Sequence, residues 1–379
     1  LLWVREVADT SALETLATQA QRSLDLQAGP LLRGVLANLA DGTQRLLLVI
    51  HHLAVDGVSW RILFDDLQTA YNQLHAGQAV KLPAKTSSVK AFAEQLQAHA
   101  RSAELQEQLA YWQAQLSDVQ GDLPCLDPQA SALNSQAVTV DTRLDKQLTR
   151  QLLQEAPAAY RTQVNDLLLT ALARVIGRWS GQSSTLIQLE GHGREELFDG
   201  VDLTRTVGWF TSLFPVRLTP ASTLGDTIKQ VKEQLRAIPN KGIGYGALRY
   251  LGDAQTQQAL QQLPVPRLTF NYLGQLDGTF DSDEGALFAP AGEGSGTGQS
   301  LDAPQSNWLT LNSQVYAGEL SLTWGYNSDM FDASTIQGLA EDYLQALTRL
   351  IEHCLLADSH GLTPSDVPLA HVNQAQLDA

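Results

Sequence analysis

The apolar positions divide the chain into a series of recognisable elements. Leu46-Leu47-Leu48-Val49-Ile50 is a short aliphatic, partly β-branched run between Arg45 and two histidines, and it predicts a buried strand. Beyond it Trp60, Leu63, Phe64, Leu67 and Tyr71 recur at three- and four-residue steps, which predicts an amphipathic helix over 57–75 with Gly57 in the turn before it. Leu1-Leu2-Trp3-Val4 reads as strand, and Ser11 followed by Glu14 ahead of Leu16, Ala17 and Ala20 predicts a capping box opening a helix. A long helix is predicted over 88–116, carrying Phe92, Leu96, Leu105, Leu109 and Trp112, before a polar connector flanked by Pro124 and Pro128.

A second set of elements follows. Strands are predicted near 136–141, 185–189, 206–218 and 267–273, and helices near 143–155, 163–179 and 222–237, with Gly181 ending the second of these. Trp308–Val315 and Glu319–Trp324 form a hairpin pattern through Ala317-Gly318, a terminal helix runs over 332–353, and 361–379 reads as a linker or tail. The mixture of helices with mostly non-alternating strands gives an α/β (α+β) class, in two lobes over 1–125 and 126–360. No short internal repeat is present. The Gly- and Ser-rich stretch 289–300 lacks the Gly-Lys-Ser/Thr ending of a phosphate loop and is expected to be a mobile surface loop.

Composition narrows the function classes. A chain of 379 residues with 44% hydrophobic content can bury a sizeable core without disulfides. Cys125 and Cys354 fit no C-x-x-C metal or redox pattern, which points to a reducing, cytoplasmic setting. A net charge of −16 argues against a nucleic-acid partner, and no apolar stretch approaches the roughly 18 residues needed to span a bilayer. No charged-then-apolar leader opens the chain.

Candidate chemistry lies at two strand ends. His51-His52-Leu53-Ala54-Val55-Asp56-Gly57 joins the first apolar run to its helix, and a strand continuing through both histidines would point them to opposite faces, one toward a cavity and one toward the core. Two such rings do not chelate one metal, and no metal site is expected. Imidazole titrates near neutrality and suits general acid or base work, though a structural role is the commoner fate of such a pair. Asp56 either caps the helix or pairs with an Arg, and Ser59 stands across a turn from His52, too far for a ready nucleophile pair. Glu190-Gly191-His192-Gly193-Arg194-Glu195 repeats the arrangement after the strand at 185–189. Glu190 is therefore a candidate partner for His52; pairing with Arg194 to fix a turn is the equally open alternative.

These blocks resemble the epimerization domains of non-ribosomal peptide synthetases, in the condensation-domain superfamily. His51-His52-Leu-Ala-Val-Asp56-Gly57 is similar to the superfamily's histidine motif, and Val58-Ser59-Trp60-Arg61 continues it as in epimerases. Further matches are Glu190–Glu195, Arg205-Thr206-Val207-Gly208-Trp209-Phe210-Thr211, Gly242-Ile243-Gly244-Tyr245-Gly246 and Phe270-Asn271-Tyr272-Leu273-Gly274-Gln275. The family's usual opening strand and Pro-x-Gln motif are not found, so the first part of the domain is expected to be missing.

The resemblance implies two chloramphenicol-acetyltransferase-like lobes in a V around a tunnel, and inversion at the α-carbon of an L-aminoacyl or peptidyl thioester. The substrate would arrive on the phosphopantetheine arm of an upstream peptidyl carrier protein, with no cofactor bound by the domain itself and a condensation domain following downstream. It also implies His52 and Glu190 as the catalytic pair, Asn271 and Tyr272 as substrate contacts, and Asp56 and Arg194 as supports. The N-terminus of the helix after Gly57 is expected to face the enolate oxygen, and Trp209 and Phe210 to be core or tunnel wall. Amide-bond formation and a catalytically silent carrier-docking role are the alternatives.

Overall fold

The computed structural model describes residues 1–276 and 287–378. Its described residues fall into two compact units. The first takes 1–92, 199–211 and the described part of 278–303; the second takes 93–198 and the described parts of 212–277 and 304–379. The linear boundary expected at 125 therefore does not hold, because residues 93–125 join the second unit and 199–211 return to the first.

The first unit is built on a three-stranded sheet, β1 (Leu2–Val7), β2 (Leu32–Leu39) and β3 (Gln44–Ile50), in that order, with β1 parallel and β3 antiparallel to β2. Alternation sends Val35, Ala37 and Val49 to one face, where Leu13, Leu16 and Ala20 of α1 (Thr10–Arg22) cover them. The cap of α1 is Asp9, whose carboxylate accepts from Ala12 N at 2.8 Å, and not the expected Ser11–Glu14 box. A charged acceptor just ahead of the helix serves the same orphan amides. The helix α2 (Gly57–His75) follows as predicted. The stretch 289–300, expected to be mobile, is fastened: Glu293 takes a bidentate ion pair from Arg45, and Thr297 N donates to Thr18 Oγ1 at 3.2 Å.

The predicted 88–116 helix is two helices, α3 (Val89–His99) and α4 (Ala103–Leu116). Ser102 breaks them apart because its hydroxyl caps α4, accepting from Leu105 N at 3.2 Å.

The second unit holds the large core. Its six-stranded mixed sheet runs β4 (Ala137–Leu144), β9 (Glu319–Asn327), β8 (Leu309–Tyr316), β7 (Leu268–Gln275), β5 (Thr185–Gly191), β6 (Ser212–Leu218). Ile187, Leu189, Phe214, Phe270, Leu311 and Trp324 face one way into a single cluster with α7 (Val164–Ser180), α8 (Leu224–Arg236) and α11 (Ala333–Cys354). Helix α7 is apolar on nearly all sides and buried accordingly, ending at Gly181 in the left-handed region as predicted. The short helices α5 (Lys146–Gln154) and α6 (Pro157–Tyr160) complete this layer. The opposite sheet face is polar, with Gln188, Thr269, Asn312 and Thr323 on it.

Two helices, α9 (Ile243–Leu251) and α10 (Ala254–Gln261), have no counterpart in the expectation, since glycines at 242, 244 and 246 depress helix propensity. The expected tail is also not a tail. Lys232 of α8, 1% exposed, donates to Asp366 at 2.7 and 2.8 Å and to the Tyr160 carbonyl at 2.9 Å, clamping 361–366 onto the unit, and the last short helix α12 (Gln374–Leu377) follows.

Candidate functional site

The first predicted centre forms at the β3–α2 junction. Strand β3 stops at Ile50, so the histidines do not alternate across a sheet as expected. His51 turns back on its own chain, its Nδ1 accepting from Leu53 N at 3.2 Å, and opens a single 3-10 turn over His52–Ala54. His52 is exposed on that turn, with its ring 4.4 Å from the Trp209 ring at an interplanar angle of 46°.

Asp56 is 2% exposed and hydrogen-bonded on both oxygens. Its Oδ1 accepts from Ser59 N at 2.8 Å, capping α2, and lies 2.8 Å from Ser59 Oγ, while Oδ2 accepts from Phe210 N at 3.0 Å. Ser59, fully buried, accepts from Gly208 N at 3.0 Å, and its own proton has Asp56 Oδ1 or the Gly208 carbonyl, at 2.9 Å, as acceptor. Ser59 is thus a stitch and not a nucleophile. The positive end of α2 is already met by the Asp56 carboxylate.

Segment 199–211 is where the expected strand over 206–218 fails in its first half; the strand begins only at Ser212. Thr206, Gly208 and Phe210 are buried while Val207 and Trp209 are exposed, so the period of two is real. The segment, however, is held by side chains and loops and not by a neighbouring strand: Thr206 Oγ1 donates inward to the Ser87 carbonyl at 2.6 Å, and Arg205, of the opposite parity, pairs with Asp66. Phe210 fits the core reading, its ring edge-on to Phe92 at 5.3 Å. Trp209, 47% exposed, is not core, so of that expectation only the wall alternative applies to it. The signal for it was available: alternation with Phe210 inward puts Trp209 outward.

The second centre sits on the polar face of the larger sheet. In β5, Ile187 and Leu189 enter the core, so Gln188 and Glu190 project to the other side. Gln188 registers with Thr269 of parallel β7 and donates to its hydroxyl at 3.1 Å. Two residues on, the same alternation puts Glu190, which is exposed, and Asn271 on that face of the two adjacent strands. Tyr272 alternates to the core side and packs against the main cluster, away from Asn271. Arg194 lies in the loop beyond β5, its amide donating to His192 Nδ1 at 3.0 Å, and Glu195 bridges His192 Nε2 at 3.2 Å and Lys241 Nζ at 3.3 Å.

Close packing fixes this strand end. Gly242 has φ +87, and a Cβ there would lie 2.3 Å from the Phe214 ring; one on Gly191 would lie 3.3 Å from the same ring. The Gly242-Ile243-Gly244 block is therefore a packing device beneath Glu190's strand. His52 belongs to the first unit and Glu190 to the second.

Among the described residues no group of three His, Cys, Asp or Glu could hold a metal, and no helix is long and apolar enough to cross a membrane. Both cysteines are free, and burial pushes the Cys354 thiol up to about 12.

Comparison with known proteins agrees with this architecture. A linear gramicidin synthase polypeptide of Brevibacillus parabrevis is 47% identical over 372 residues, 97% of this chain and 5% of that protein. Tyrocidine synthase 2 of the same organism is 41% identical over 372 residues, 96% of this chain and 10% of that protein. The chain thus spans a small fraction of the length of these relatives. Among solved structures, the epimerization domain from the third module of tyrocidine synthetase B superposes with a TM-score of 0.86 at 39% identity, covering 93% of this chain and 80% of that one. The condensation domain of the Monacolin K polyketide synthase shares the fold, with a TM-score of 0.70 at 18% identity over 94% of this chain and 80% of that one. A family model described as Condensation domain matches residues 3–368, and the chain belongs to the condensation-domain family.

Proposed function

We propose that this domain epimerises the α-carbon of an aminoacyl or peptidyl thioester presented on the phosphopantetheine arm of a carrier protein in non-ribosomal peptide synthesis. The observation that carries this reading is the likeness to a solved epimerization domain at 39% identity, against 18–20% for the condensation, cyclization and X-domain structures of the same fold.

The chemistry follows from the substrate. A thioester carbonyl acidifies the α-hydrogen, so a base removes it and the electron pair moves onto the carbonyl oxygen; a proton returned to the opposite face inverts the centre. That requires two proton-handling groups, and His52 and Glu190 are our candidates. Glu190, with Asn271 on the same sheet face, has a polar neighbour able to donate to substrate. Asp56 and Arg194 are assigned to support, and Tyr272, which faces the core side, is a weaker substrate contact than Asn271.

The test is α-hydrogen exchange. With a carrier protein bearing an L-aminoacyl group in deuterated water, the domain should introduce one α-deuterium and yield the D-thioester. His52→Ala and Glu190→Ala should each slow this about 10²- to 10⁴-fold. Exchange undiminished in the double variant would remove the pair from the mechanism. The family description favours a second reading, peptide-bond formation using the same histidine motif. Two loaded carriers separate the two: a dipeptide product with no inversion selects condensation.

A further inference from the structure

His52 lacks the usual means of holding an imidazole. A proton-transferring histidine is ordinarily oriented by a carboxylate or carbonyl at its second ring nitrogen. Among the described residues, neither His52 nitrogen makes such a bond, and Asp56, the nearest acid in sequence, is spent on Ser59 and Phe210 N. The described contact to the ring is the indole of Trp209 at 4.4 Å.

That indole is held from both sides of its own backbone. Gly208 before it exchanges bonds with buried Ser59, and the amide of Phe210 after it donates to buried Asp56. Ser59 and Asp56 are the same residues that fix the first turn of α2, shortly after the histidines in the chain. Gly208 cannot carry a side chain, since a Cβ would lie 2.5 Å from Val89 Cγ2 and 3.0 Å from the Phe210 ring. A rigid mount thus presents a half-exposed tryptophan outward, and what its ring meets is His52. At 47% exposure the indole is no core residue, and the ring it meets is that of His52.

We infer that Trp209 is the positioning residue for His52: its indole restricts the imidazole to one orientation from which a proton can be passed, and the Asp56–Ser59 stitch exists to hold the indole there. The role of His52 in proton transfer rests on the reading given above; the ring contact does not.

The experiment pairs kinetics with the histidine ring resonances of the same chain, the His52 signal being assigned by its loss in His52→Ala. Trp209→Leu should move the His52 Cε1–H signal out of the indole ring current while the other histidines stay in place. It should also lower kcat for α-hydrogen exchange about 10- to 100-fold with KM changed by less than about threefold. Trp209→Phe, which keeps an aromatic face, should retain kcat within about threefold of wild type, and both variants should melt near the wild-type temperature. A His52 signal unmoved in Trp209→Leu, a kcat unchanged despite its movement, or an equal loss in Trp209→Phe overturns the inference. A wild-type domain inert in exchange sinks the epimerase reading, and the ring-current result then decides the positioning contact on its own.

Discussion

Asp56 illustrates how much one carboxylate can organise. It sits where a helix cap is expected, and it is one, but the second oxygen ties in an amide 154 positions away. Asp56→Ala strands the amides of Ser59 and Phe210 in a buried setting, and should destabilise the domain by about 2–4 kcal/mol. Urea denaturation measures this, and a loss below about 1 kcal/mol would mean that water replaces the carboxylate. Gly242→Ala is the matching test in the second unit. It must adopt φ +87 and meets the Phe214 ring at 2.3 Å, so a loss of about 3 kcal/mol or more is expected by the same measurement, with Glu190's strand disturbed above it. The residue scale is also where the amino-acid sequence is both most and least legible. His52 and Glu190 stand out as types suited to proton chemistry and Asp56 as a helix cap, whereas Ser59 and Trp209 take their roles from a long-range tie that spacing does not encode.

At the scale of elements, the clamp on the C-terminal segment makes a pH-dependent prediction. Burial alone would raise the Asp366 pKa, but hydrogen bonds from Lys232 and Thr363 outweigh it and hold it below the ordinary aspartate value. Its stabilising contribution is therefore present above the unfolded value of about 3.9 and is lost as pH falls through the folded one. His353, 2.8 Å from the Tyr160 hydroxyl, is held below the ordinary histidine value by burial, so its neutral form favours the fold and its contribution erodes first, from about pH 6.5 downward. Limited proteolysis between 361 and 370 should consequently show a mild rise below about pH 6.5 and a steep one below about 4. A single step would mean that one of the two groups is silent. Removing the cation should matter most above about pH 4, where Asp366 is ionised: Lys232→Met leaves the carboxylate with its Thr363 bonds but without its cation, at a cost of about 3–5 kcal/mol readable by urea denaturation. Element types were largely legible because periodicity reports burial. Strand β5, helices α7, α8 and α11 and the β8–β9 hairpin appear close to where alternation and three-to-four spacing put them. Two failures share a cause, side chains that bond across the fold: Thr206 and Arg205 anchor a segment that looks like strand, and Lys232 gathers in a segment that looks like linker. Ser102 instead splits a helix through a local cap, and glycines hide α9.

For the whole molecule, the two units differ in what holds them. The second has one continuous apolar cluster reaching from α4 to α11, while the sheet of the first is backed by two small clusters centred on Val35, Ala37 and Val49. Hydrogen exchange should therefore be slowest in α7 and β8 and measurably faster in β1 to β3, because local opening tracks the apolar area that opening exposes. Equal protection in both would indicate that the smaller unit draws stability from outside its own core. Neither unit is a continuous piece of sequence, which is why a division by position alone could not describe them: 199–211 leaves the second unit after β5 and returns at β6.

That excursion sets a rule for recombining relatives. A chimera that exchanges residues 1–92 alone would put one parent's Asp56 and Ser59 against the other parent's Gly208 and Phe210. The two stretches are bonded as a matched pair, and a cassette that respects the protein's own seams must carry 199–211 along with the amino-terminal segment it serves.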